Sequence, residues 1–72
     1  MPGMDAKGRV ARNLQRMRRE RGLTQEELAH KSGIHQTYLS GVEGGKRNPS
    51  LLVLERIASA LDADISDLIQ KP

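Results

Sequence analysis

Cysteine, tryptophan and phenylalanine are missing from this 72-residue chain, and Tyr38 is its one aromatic residue. Without cysteine there is neither a disulfide framework nor a thiolate metal site. Only His30 and His35 offer an imidazole, and neither has partners at metal-ligand spacing, so no metal and no cofactor is expected. A single tyrosine cannot form the stacking platform on which single-stranded nucleic acids are held. Long apolar runs are missing as well. The longest, Leu51–Leu54, falls far short of the roughly 20 residues that cross a bilayer. The opening MPGMDAKG is polar and leads into no apolar segment, unlike a secretory signal. No membrane association is expected, and the chain reads as cytoplasmic. No phosphate-binding loop, dinucleotide fingerprint or Ser–His–acid arrangement is present, so the chain does not read as an enzyme.

Charge is plentiful and unevenly placed. Residues 1–47 hold ten Lys/Arg against five Asp/Glu, whereas residues 48–72 hold two against four. A basic front and an acidic rear imply one face turned toward a polyanion and another free of that duty.

Apolar spacing and caps predict five helices, near residues 9–21, 25–32, 36–43, 51–61 and 65–70. Val10, Leu14 and Met17 give the first helix its stripe; it starts at Ala6 or Arg9 and is ended by Gly22. Thr24 with Glu27 forms a capping box for the second, with Leu23 placed to staple against Leu28 and Gly33 at the left-handed position beyond it. His35 opens the third helix at a cap position it rarely fills, and Tyr38, Leu39 and Val42 supply its buried side. Ser50 caps the fourth, where Leu51, Leu54, Ile57, Ala58 and Leu61 fall at core spacing. Asp64 or Ser66 caps a short fifth helix carrying Ile65, Leu68 and Ile69. Residues 1–8 read as a flexible N-terminal arm and residues 9–70 as one all-α domain.

Gln25–Glu43 (QEELAHKSGIHQTYLSGVE), followed by GGKRNPSL, resembles the helix-turn-helix of the phage-repressor-like family of xenobiotic-response-element type. The resemblance spans residues 9–70, and TYLS-x-VE-x-GKRNPS is similar to the controller proteins of restriction–modification systems. It implies a lambda-repressor-like five-helix DNA-binding fold. Its function would be a sequence-specific transcriptional regulator, acting as a homodimer on a palindromic operator in double-stranded DNA.

The resemblance places Gln36, Thr37, Ser40 and Gly41 at base edges, Gly41 through close backbone approach. It places Gln25, His35, Tyr38, Lys46, Arg47, Asn48 and Arg12 at phosphates, although core packing is the first use of Tyr38. Ala29 must stay small beneath the third helix, and Glu43 is expected to pair with Arg18 or another arginine of the first helix. Leu52, Ile65 and Ile69 are carried onto the dimer interface, and no small-molecule effector is expected. A second reading is an antitoxin-like protein-interaction module, with DNA binding secondary.

Overall fold

The computed structural model describes residues 4–72, all of whose regular structure is helical. The order is α1 (Ala6–Glu20), α2 (Gln25–Ser32), α3 (Gln36–Glu43), α4 (Leu51–Ala60) and α5 (Ile65–Ile69). Helix α1 packs on α3 and α5, α2 packs on α3 and α4, and α4 closes against α5.

None of these helices except α1 is long enough to persist alone in water. Caps define their starts and a shared core holds them. Asp5 accepts the Gly8 N–H at 2.8 Å, so α1 begins at Ala6 rather than residue 9. Ala6–Gly8, expected in the arm, therefore form its first turn, while residues 1–3 of that arm lie outside the described residues. Thr24 accepts the Glu27 N–H at 3.0 Å, and Glu27 accepts the Thr24 N–H at 2.9 Å. Ser50 accepts from Val53, and Asp64 rather than Ser66 caps α5 by accepting the Ser66 N–H at 2.9 Å.

Leu14, Leu28, Leu39, Ile57, Leu61 and Leu68 are fully buried and draw on all five helices and the turn after α4. Burying each such side chain contributes about 1.5–3 kcal/mol, several times what helix propensity separates. Tyr38, Ile34, Val53 and Ile65 pack half-buried around this cluster.

The expected core stripe of α4 needs one correction. Leu51 is 71% exposed, nearly as open as Leu52 at 73%. Helical side chains lean toward the N-terminus, so one in the first turn projects past the packed body instead of onto it. The buried stripe begins at Leu54.

Candidate nucleic-acid interface

Helix α3 lies on the core through Leu39 and Val42, which leaves Gln36, Thr37 and Ser40 exposed together on its other side. Three residues join it to α2. Gly33 takes φ 70°, a left-handed conformation that a side chain would strain, and Ile34 donates its N–H back to the Ala29 carbonyl at 3.1 Å. Ala29 is buried, as the close packing of α2 on α3 requires.

A polar network sets the far end of α3. Glu43 is buried, with its carboxylate held by Arg18 through Nε at 2.7 Å and Nη2 at 3.0 Å. The expected pairing is thus bidentate. Arg18 spends Nη1 on the Leu23 carbonyl at 2.8 Å, and Gln15 donates to the Glu43 backbone carbonyl at 2.6 Å. Gln25 adds a bond to Glu43 Oε1 at 3.2 Å. One carboxylate therefore ties α1, the start of α2 and the end of α3 into a fixed frame. Gln25, expected at a phosphate, has its side chain half-buried and turned inward; its place at the first turn of α2 is unchanged.

His35 occupies the cap position of α3 with no side-chain cap bond, so the first-turn amides keep their outward hydrogen-bonding capacity. Past the helix, Gly45 at φ 72° turns the chain back, and Lys46, Arg47 and Asn48 follow as an exposed loop. Lys46 and Arg47 both donate their N–H to the Gly41 carbonyl, at 2.9 and 3.2 Å. The Arg47 side chain crosses Gly41 and brings its guanidinium carbon 6.0 Å from the Tyr38 ring centroid, the outer range of a cation–π contact. Gly41, expected to offer bare backbone, is half-buried beneath that arginine. Arg12 is exposed on α1 and joins none of these hydrogen bonds.

On α4 and α5, Leu52 and Ile69 are exposed while Ile65 is half-buried against the core. Sequence reasoning missed Asn13, which is fully buried and donates to the Leu68 and Gln70 carbonyls at 2.8 Å each. The available signal was an amide three residues after Val10, inside the apolar stripe of α1. Two carboxyls are held below their ordinary range by capping: Glu27 by the Thr24 N–H and then its hydroxyl, Asp64 by the Ser66 N–H and then its hydroxyl. Among the described residues no cluster of His, Asp and Glu could hold a metal ion, and no helix is long and apolar enough to cross a membrane.

A short turn between two helices, a polar outer face on the second and a basic loop after it define a helix-turn-helix domain of lambda-repressor-like fold. The helix-turn-helix family profile matches residues 14–68, and the chain belongs to that family of DNA-binding regulators. It is 46% identical over 66 residues to an uncharacterized HTH-type transcriptional regulator, y4dJ, of Sinorhizobium fredii, covering 92% of this chain and 86% of that one. The structure is similar to the restriction–modification controller protein C.AhdI from Aeromonas hydrophila, with TM-score 0.81 and 40% identity over 83% of this chain and 91% of that one. It is also similar to a hypothetical transcription factor, NHTF, from Neisseria, with TM-score 0.91 and 32% identity over 100% of this chain and 88% of that one.

Proposed function

We propose that the protein is a cytoplasmic, sequence-specific transcriptional regulator that binds a palindromic operator as a homodimer, with α3 in the major groove. The carrying observation is an exposed Gln36–Thr37–Ser40 face on a helix fixed by the Arg18–Glu43 pair and flanked by a basic loop. Gln36 suits adenine N6 and N7, Thr37 a thymine methyl or a hydrogen bond, and Ser40 a base edge or a phosphate. Lys46 and Asn48, His35, the Tyr38 hydroxyl, the amide end of α2 at Gln25, and Arg12 serve phosphates, which position the domain without reading sequence. The likeness to a restriction–modification controller protein supports the regulatory reading.

One recognition helix reads too few base pairs to stand out against a genome of competing sites. Pairing over Leu52, Ile65 and Ile69 sets two recognition helices about 34 Å apart, one turn of DNA. Exposed Leu51 extends that apolar end. The acidic rear half then meets its copy while the basic front meets phosphate.

Selection of bound duplexes from a random library by the purified protein tests the function. A palindromic consensus is expected. With Gln36→Ala, preference should relax at one base pair by about 1–3 kcal/mol, whereas Lys46→Ala should weaken all duplexes alike and lower the salt dependence. Enrichment of no sequence would overturn the proposal in favour of a protein-interaction module.

A further inference from the structure

Gly41 falls one turn after Thr37 on the same stripe of α3, so the exposed reading face has a gap where a side chain would stand. Arg47 occupies that gap. The left-handed turn at Gly45 brings the chain back along the helix, and the bonds from Lys46 and Arg47 to the Gly41 carbonyl anchor the backbone beside it. The arginine stem then lies directly over Gly41: a Cβ at position 41 would stand 2.6 Å from Arg47 Cγ and 3.5 Å from Nε. The 2.6 Å contact is shorter than real Cβ atoms show, so a side chain at 41 must displace the arginine stem. The Tyr38 ring steadies the guanidinium end.

We propose that Gly41 is a specificity-determining position that acts through Arg47, letting the arginine lie along α3 and read a guanine in the major groove. This rests on the DNA-reading function proposed above, and it moves Arg47 from the phosphate group in which its loop position placed it. A phosphate contact needs charge and reach, which a free side chain supplies. A seated stem instead fixes the direction of a planar fork, which matches guanine O6 and N7 together. The remaining groups on the stripe do not offer that match: Gln36 suits adenine, while Thr37 and Ser40 each bring a single hydroxyl.

The test compares wild type with Arg47→Ala, Arg47→Lys, Gly41→Ala and the Gly41→Ala/Arg47→Ala double variant. Sites are selected from a random duplex library, and isotherms follow on the consensus and on duplexes changed at one G·C pair. Wild type should favour that pair roughly ten- to a hundredfold. Arg47→Ala should abolish the preference, and Arg47→Lys should keep most of the affinity yet lose most of the preference. Gly41→Ala places a better helix former in the helix, so folding is not at risk, and circular dichroism confirms it. It should erase the preference as fully as Arg47→Ala, and add no further loss in the double variant. Two results would overturn the assignment: Arg47→Ala weakening every duplex equally, or Gly41→Ala costing as much without Arg47 as with it. A wild type that selects no sequence fails earlier, at the DNA-reading function itself, and so is told apart from these.

Discussion

The turns after α3 and after α4 close with the same pair of hydrogen bonds but carry different residues at the left-handed position. After α3, Gly45 donates to Val42 and Lys46 to Gly41, at 3.1 and 2.9 Å; after α4, Asp62 donates to Ser59 and Ala63 to Ala58, at 3.0 and 2.9 Å. Gly45 adopts φ 72° without strain, whereas Asp62 is forced to φ 58°. The contrast extends through each half. The α1–α3 half is basic, and α3 is fixed by the buried Glu43 carboxylate, which accepts from Arg18 and Gln25. The α4–α5 half is acidic, leaves Leu51, Leu52 and Ile69 exposed, and has its last helix bonded to α1 through one side chain, the Asn13 amide. Reading DNA needs a fixed geometry; burying an apolar patch against a second copy tolerates adjustment.

Breaking the frame should have the largest effect. Glu43→Ala leaves Arg18 with its side chain only 12% exposed and without its partner, and should destabilise by about 3–5 kcal/mol. Urea unfolding would show it as a lower midpoint with unchanged slope. Asn13→Ala comes next, at about 1–3 kcal/mol, since the Leu68 and Gln70 carbonyls lose their donor. Hydrogen exchange should then rise first in α5 and leave α3 amides protected. Protection lost equally in both helices would erase the distinction between the halves.

Much of this division was legible beforehand. Thr24, Glu27, Ser50 and Gly33 announce helix ends because caps are local chemistry, read within four residues. The Arg18–Glu43 pair was expected through the family resemblance, but its additional partners Gln15 and Gln25 depend on how helices far apart in sequence come together. Asn13 was hidden for the same reason, its acceptors lying 55 and 57 residues away. Leu51 misled because spacing gives the azimuth of a side chain and says nothing of where the core stops along the helix axis. The seat of Arg47 on Gly41 required the loop to fold back, which a glycine at 45 permits but does not dictate.

Smaller effects sharpen the same contrast. Asp62→Gly should relieve the strained turn and raise stability by about 0.5–1 kcal/mol, read as a higher thermal midpoint. Gly45→Asp should lower it, because a side chain at φ 72° introduces the strain that glycine avoids there. The mildest effect is on pH. Glu27 and Asp64 have folded values below their ordinary 4.5 and 3.8, so their contribution is complete above those values and fades as pH falls through the lowered ones. Thr24→Ala should flatten the part of this acid-side slope that comes from α2, followed by circular dichroism between about pH 5 and 2.

The central claim is that two copies, paired through the α4–α5 end, present two fixed α3 helices to one duplex. Sedimentation of the protein with its selected duplex, beside a duplex carrying half of that site, tests this most directly. Two chains per full site, bound cooperatively and far more tightly than to the half site, is the predicted result. One chain per duplex, with equal affinity for both, would contradict it.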